Sequence, residues 1–316
     1  MDLISVVMSV YNEKEEWVRK SIESILRQTY VNIEFIIILD NPVNTTLAKV
    51  IETYQMEDNR VKFLVNTKNE GLVYSLNYGI SEAKGKYIAR MDADDYSSPE
   101  RLVKEYQCMI DNQVDFIMTG VNFLYEERYQ EGTKYGELDS IKFAELMKYG
   151  NVSVHPTWLF DKEIYYVLKG YRNISYCEDL DFVLRALQHG YKCYRMKEHL
   201  LDYRFRNSGI SKSNALEQHL RATALQKLYI KGEDIGSINV DYFINMEKEC
   251  SKRNKEIFSE ADKMMGELVE YINEKRIFAC GINILIGLVS NKYYRLLFCK
   301  NVRFRLKLAA YTRKQI

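Results

Sequence analysis

Five apolar, β-branched runs mark the first part of the chain: ISVVMSV at 4–10, IEFIIIL at 33–39, VKFLV at 61–65, GKYIARM at 85–91 and DFIMTGV at 115–121. Runs of this length bounded by polar residues predict strands buried on both faces. Between them the apolar period changes. Trp17, Ile22, Ile25 and Leu26 recur at helical intervals, as do Leu47, Val50, Ile51 and Tyr54. Strand and helix thus alternate at about 30 residues per unit, the length of a βαβ crossover. The first half is expected to be an α/β fold, a mostly parallel sheet flanked by helices.

In such sheets ligands bind beyond the carboxyl ends of the strands. Polar residues do cluster there: YNE follows the first run, DNP the second, NTKNEG the third and DADD the fourth. Asn12 with Glu15 has the spacing of a capping box, and Ser98-Pro99-Glu100 offers an N-cap, a first-turn proline and an acid. DADD is therefore expected to be a short turn between a strand and a helix.

Asp92, Asp94 and Asp95 in that turn repel and raise one another's pKa unless a cation sits among them. Carboxylates at alternate positions suit Mg²⁺ or Mn²⁺, which take one or two of them together with waters and substrate phosphates. The same acids also read as a solvated, helix-capping turn. A calcium loop starting at Asp92 fails, because Ser97 and Val103 occupy its required glycine and glutamate positions. A phospho-aspartate enzyme would be expected to carry its acidic pair after the opening strand, where this chain has YNE.

The segments SVVMSVYNE (5–13), SIESILRQTYVNIEFIIILDNP (21–42), NEGLVYSLNYGISEAKGKYIARMDADD (69–95) and EDLDFVLRALQHG (178–190) resemble, in order and spacing, the family 2 glycosyltransferases. The match runs over about residues 3–210. It implies a GT-A fold (nucleotide-diphospho-sugar transferase, Rossmann-like) and an activity like that of enzymes building bacterial capsule and O-antigen polysaccharides. It also implies that Asp94 contacts Mn²⁺ or Mg²⁺ directly and that Asp92 lies near the metal and the donor's ribose, with Ala93 between them. Asp95 is either part of this group or a cap for the following helix.

By the same resemblance Asp40 reads the nucleotide base, although Asn41-Pro42-Val43 replaces the usual Asp-Gly-Ser; Asp40 also reads as the first residue of a β-turn. Ser9, Tyr11 and Glu13 match the nucleotide-side wall, and Asn69, Gly71 and Asn77 match a pattern that faces the nucleotide. Lys68 and Arg90 are candidate phosphate or base contacts. Glu178 and Asp179 match the family's acidic pair, with Asp179 as the general base for direct, inverting displacement. His155 and Trp158, in HPTWLF, match a segment lining the acceptor side; a satisfied histidine at a buried strand start fits as well. Arg206 stands where many relatives have histidine, and Arg204 or Arg206 would meet the diphosphate. Lys169 replaces the first of two glycines before the aromatic of KGY.

Composition removes some classes of function. The 316 residues are 47% hydrophobic and 28% charged, with 45 basic and 44 acidic side chains, which excludes a disordered or nucleic-acid-coating protein. Six cysteines without a C-x-x-C pair, and four histidines not spaced to share zinc with them, predict a reduced, cytoplasmic protein. The opening MDLISVVMSVYNEKEE has no signal-peptide pattern.

A catalytic domain over 1–214 is expected, followed by a helical region over 215–316. In the latter, IFACGINILIGLVS (277–290) falls short of the ~20 residues of a spanning helix. No acid follows Glu274, whereas Lys292, Arg295, Lys300, Arg303, Arg305, Lys307, Arg313 and Lys314 do. Residues 277–316 read either as peripheral membrane contact at an anionic surface or as a packed helix pair or homo-oligomer interface. The resemblance implies as partners a UDP-sugar donor and a lipid-linked oligosaccharide acceptor at the inner face of the cytoplasmic membrane, with a hexosyl or N-acetylhexosaminyl group transferred. The rivals are a polyprenyl-phosphate sugar transferase and a non-catalytic nucleotide-sugar-binding subunit.

Overall fold

The apolar runs at 4–10, 33–39 and 87–91 are covered on both faces, whereas the run at 61–65, at the end of the sheet, has only Val61 buried. In the computed structural model, which describes residues 1–125, 128–132, 136–205 and 214–312, β1 (Ile4–Val10), β2 (Ile33–Leu39), β3 (Val61–Val65) and β4 (Tyr87–Asp92) lie parallel in the order β3-β2-β1-β4. The crossovers are α1 (Glu15–Leu26), α2 (Thr45–Glu57) and α3 (Leu72–Ser81). α3 rests directly on the sheet at Gly79. A Cβ there would fall 2.6 Å from Ile38 Cδ1 and 2.7 Å from Val7 Cγ1.

The sheet continues with β5 (Tyr96–Ser97), β6 (Phe116–Tyr125), β7 (Arg128–Gln130), β8 (Leu159–Asp161) and β9 (Cys193–Arg204). β8 is antiparallel to β4 and β6, while β9 runs parallel to β6 and antiparallel to β5. The α/β fold is thus mostly parallel around β1, with antiparallel strands added beyond β4. The flanking helices are α4 (Arg101–Asn112), α5 (Ser140–Met147), α6 (Lys162–Val167) and α7 (Glu178–Gln188).

Two helix starts differ from their local signals. Lys14 precedes α1 without a side-chain cap, and Asn12 instead accepts from Asn41 Nδ2 (2.7 Å) and Asn44 Nδ2 (3.2 Å). Contact between the turns after β1 and β2 outcompetes the local box. α4 begins at Arg101, and buried Gln28 reaches its first turn: Oε1 accepts from Leu102 N (3.0 Å) while Nε2 donates to Ser98 O (2.6 Å). Arg101 and Glu105, one turn apart on α4, are both fully buried. Arg101 Nη1 donates to the carbonyls of Arg90 (3.1 Å) and Pro156 (2.6 Å), whereas neither Glu105 oxygen has a hydrogen-bond partner among the described residues. Burial pushes the Glu105 carboxyl up to about 8.

The chain divides into two compact units. The first comprises the described residues of 1–144, 153–173 and 178–205; the second comprises 145–152, 174–177 and the described residues from 214 onward. The second is helical, with α8 (Ala215–Lys231), α9 (Asp241–Ile244), α10 (Lys252–Asn273), α11 (Ile277–Ser290) and α12 (Lys292–Thr312). Its core gathers Leu216, Phe258, Ala261, Leu268, Tyr293 and Tyr294. Tyr294 lies against Gly287, where a Cβ would be 2.5 Å from the ring, and its hydroxyl donates to Asn283 Oδ1 at 2.8 Å. Among the described residues no helix is long and apolar enough to cross a membrane.

Candidate functional site

Register brings the donor-side residues to one edge. Ser9 pairs with Asp92 across β1 and β4, and Val10 pairs with Leu39, so Ser9, Tyr11, Asp40 and Asp92 all stand at the carboxyl ends of the parallel strands. Tyr11 is 42% exposed, and its amide donates to Glu13 Oε2 at 2.8 Å. Glu13 thereby folds back over the turn after β1.

Asp40 is buried and its carboxylate already accepts three bonds. Oδ1 accepts from Asn66 Nδ2 (2.6 Å) and Glu70 N (2.8 Å), and Oδ2 accepts from Gly71 N (2.8 Å). It ties the end of β2 to the start of α3, where a negative charge complements the helix N-terminus. Gly71, at φ +87°, adopts backbone geometry open to glycine. Asn69 is exposed beside this junction. Asn77 does not face the nucleotide edge with a free amide, as its motif implied. Nδ2 donates to Tyr171 O (3.0 Å) and Oδ1 accepts from Tyr171 N (2.9 Å), because that part of α3 meets the 165–171 segment.

The acidic turn is held from three sides. Ser21 Oγ donates to Asp92 O at 2.8 Å, Arg90 Nη1 donates to Asp92 Oδ1, and Arg204 Nε donates to Asp94 O at 2.9 Å. Arg90 is only 3% exposed, so it serves as a fixed counter-charge under Asp92 rather than as an arm reaching to a ligand. Ala93 is buried between the two acids. Asp95 does not cap α4; its Oδ1 accepts from Arg204 N at 2.8 Å, and its buried Oδ2 has no hydrogen-bond partner among the described residues. Burial, and then the charges of Asp92 and Asp94, push the Asp95 carboxyl well above the usual carboxylate range. Arg204 also stacks over Trp17 at 4.6 Å, and Arg206 lies outside the described residues.

This donor set fits a hard divalent cation. Hard carboxylate oxygens sit at Asp92 and Asp94, and the orphaned Asp95 oxygen leaves negative charge in the turn incompletely answered. Among the described residues no three His, Cys, Asp or Glu side chains converge on one point. A cation here would complete its shell with water and substrate phosphates, the usual habit of Mg²⁺.

On the other side, α7 opens with Glu178 and Asp179, and it is anchored by Asp181. Asp181 is fully buried and accepts from Arg172 Nε (3.1 Å) and Arg185 Nε (2.8 Å). Arg185 in turn donates to Leu168 O (2.7 Å) and Gly170 O (2.9 Å). That network fixes the KGY turn, where Lys169 and Gly170 have φ +57° and +77°; Lys169 occupies a conformation that glycine adopts more easily. The family motif did not announce this clamp, whose one local signal is the i,i+4 spacing of Asp181 and Arg185.

Burial, and then the Asp179 charge, push Glu178 up to about 7; Arg90 pulls the other way and Asp92 adds to the rise. The acidic turn and the acidic pair therefore act within one electrostatic field.

His155 and Trp158 separate in role. Trp158 is fully buried, donates from Nε1 to Ser153 Oγ (2.7 Å) and stacks with Tyr171 and Phe182, so it packs the core and offers no face to a sugar. The expectation that Trp158 lines the acceptor side is corrected on that ground. His155 Nε2 lies 3.0 Å from Tyr171 Oη, and burial and then Arg90 hold its pKa well below the ordinary histidine value. It is a neutral, hydrogen-bonded ring in the wall beside Arg90.

Comparison with known proteins identifies the family and the fold. The sequence pattern described as Glycosyl transferase family 2 matches residues 5–168. An uncharacterized glycosyltransferase of Methanocaldococcus jannaschii is 36% identical over 72% of this chain and 76% of its own length. The O-antigen biosynthesis glycosyltransferase WbnJ of Escherichia coli is 35% identical over 67% of this chain and 84% of its own. Among solved structures, S. aureus TarS 1–349 in complex with UDP-GlcNAc shares the fold, with a TM-score of 0.59 over 88% of this chain and 89% of that one, at 16% identity.

Proposed function

The chain belongs to glycosyl transferase family 2, and from that premise we propose that it is an inverting enzyme carrying a sugar from a UDP-sugar to a hydroxyl of a lipid-linked oligosaccharide. The setting is assembly of a surface polysaccharide such as capsule or O-antigen, at the inner face of the cytoplasmic membrane. The observation that carries this reading is the shared field of the DADD turn and the Glu178-Asp179 pair. A donor clamp and an acid pair that share one field are what sugar transfer to a hydroxyl calls for.

The donor nucleotide lies across the ends of β1 to β4, against Ser9, Tyr11 and the Asp40–Gly71 junction. Asp94 and Asp92 hold Mn²⁺ or Mg²⁺, which when bound supplies Lewis acidity to the departing diphosphate. Arg90 keeps Asp92 in place. Asp179 takes the proton from the acceptor hydroxyl as that oxygen attacks the anomeric carbon. Glu178 beside it keeps the local potential negative, which strengthens the base. UDP as carrier is supported by the fold likeness to a protein solved with UDP-GlcNAc, and polysaccharide assembly by the E. coli relative.

The test is a screen of nucleotide sugars for donor hydrolysis with and without chelator, on the native chain and on Asp94→Ala. The expected result is hydrolysis of a UDP-sugar that both chelation and the substitution abolish. Equal hydrolysis in all four conditions would remove the metal from the reading.

A further inference from the structure

α11 is apolar on both of its sides, and only one of them is covered. Asn283 and Gly287 are buried, and Cys280, Ile284 and Leu288 pack on the core of the second unit. The opposite stripe carries Phe278, Ile282, Leu285, Ile286 and Val289, exposed by 44% to 83%. Their spacing keeps them on one helical face. No charged residue lies between Arg276 and Lys292, and no acid occurs after Glu274.

Both ends of this stripe are cationic. Lys275 and Arg276 stand exposed before it, and Lys292 and Arg295 stand exposed after it. Arg295 Nη1 donates to Leu288 O at 2.8 Å, which holds a guanidinium beside exposed Val289. α12 repeats the pattern at lower density, with exposed Leu296, Val302 and Leu306 interleaved with exposed Arg303 and Arg305.

We propose that the outer face of α11, with the cations at its ends, docks on an anionic lipid surface and lies in the plane of the interface. A 14-residue helix is about 21 Å long, too short to cross a hydrocarbon layer of about 30 Å. A large apolar stripe bounded by lysine and arginine is the form an interfacial helix takes. Charge decides between occupants. Arg276 is answered by Glu274 at 3.2 Å, but Lys275, Lys292 and Arg295 make no ion pair among the described residues, so a second copy of this face would set these cations against one another, whereas anionic headgroups answer them. The inference deepens the proposed function only in putting the enzyme on the surface where a lipid-linked acceptor resides.

The test is flotation of the full chain with phosphatidylcholine vesicles and with vesicles containing about one third phosphatidylglycerol. Binding is expected to the anionic vesicles alone and to weaken several-fold at high salt. Leu285→Glu should lower binding at least tenfold, and Lys292→Glu or Arg303→Glu should each lower it about fivefold or more. All four proteins are matched by circular dichroism, since these side chains are exposed. Equal flotation with both vesicle types, or none with either, overturns the proposal. So does a concentration-dependent dimer that Leu285→Glu abolishes without any flotation of the native chain, which would assign the face to a second copy. Donor hydrolysis in solution is read in parallel. Flotation without hydrolysis overturns the enzymatic reading alone, and hydrolysis without flotation overturns the docking alone.

Discussion

Asn77 grips the backbone of Tyr171 at both ends, donating to its carbonyl at 3.0 Å and accepting from its N–H at 2.9 Å. The pair joins the helix that follows the nucleotide-side strands to the turn that Arg185 and Asp181 tie to α7. The α3 side and the α7 side of the site are therefore coupled through one amide. A Cβ at Gly170 would come within 2.7 Å of Asn77 Oδ1, so the turn has little room to shift.

Replacing Asn77 by alanine leaves two part-buried backbone groups without partners. A loss of about 1–3 kcal/mol is expected, measured as a fall in the chemical-denaturation midpoint. Asn77→Asp keeps the acceptor for the Tyr171 N–H and loses the donor, so it should fall between. Equal stability of all three proteins would show that the bracket does not hold the turn.

Asp179→Asn should lower kcat by about 10²–10⁴-fold, the usual worth of a positioned base, with melting temperature and donor affinity unchanged. Steady-state kinetics with an acceptor hydroxyl measures it. Intact turnover would mean that the acceptor oxygen arrives already ionised, as a phosphate does, and would favour a polyprenyl-phosphate sugar transferase.

The Glu178 carboxyl, raised to about 7 by burial and by Asp179, holds its proton below that pH and loses it above. While protonated it weakens the negative potential at Asp179, so kcat/KM should rise through pH 7 and level off above about 8. In Glu178→Gln the rise across pH 7 should disappear and kcat/KM should stay near its low-pH level, because the neutral amide stands in for the protonated acid. A native profile flat from pH 6 to 8 would separate Glu178 from the reaction.

Glu105 gives a second pH signature, in stability. Its folded pKa, raised from 4.5 to about 8 by burial, means that the fold prefers the protonated form. Its stabilising contribution is full below about 4.5 and is lost as pH rises through 8. Denaturation midpoints should fall across that window, and Glu105→Gln should flatten the decline and stabilise the protein by about 1–3 kcal/mol above pH 8. An identical pH slope in the two proteins would place the titration elsewhere.

The parallel half of the fold was legible because its signals are local. Strands at 4–10 and 33–39 coincide with apolar runs whose residues are mostly buried, the run at 61–65 forms a strand with only Val61 buried, and the acid turn follows the fourth strand as its polar residues imply. What escaped were side chains whose partners lie far along the chain. Asn12 turned to Asn41, Asp95 to the amide of Arg204, and Asn77 to Tyr171, each leaving the role its neighbours in sequence suggested. Trp158 and Phe116 meet edge to face with ring centroids 4.8 Å apart, a contact that a hexapeptide motif cannot reveal. The clamp of Arg172, Asp181 and Arg185 was likewise hidden: two arginines on one buried acid look in sequence like ordinary helix charges.

The strand order carries a consequence for how the protein is made. β1 lies between β2 and β4, so all four parallel strands, with Ser9, Tyr11, Asp40 and Asp92 at their ends, consist of residues up to 92. Synthesis runs from the amino terminus, and the ribosome has released every residue of the nucleotide-side wall before it reaches Glu178 and Asp179. The strand ends and the acidic turn are written first, and the Glu178-Asp179 pair is added to them.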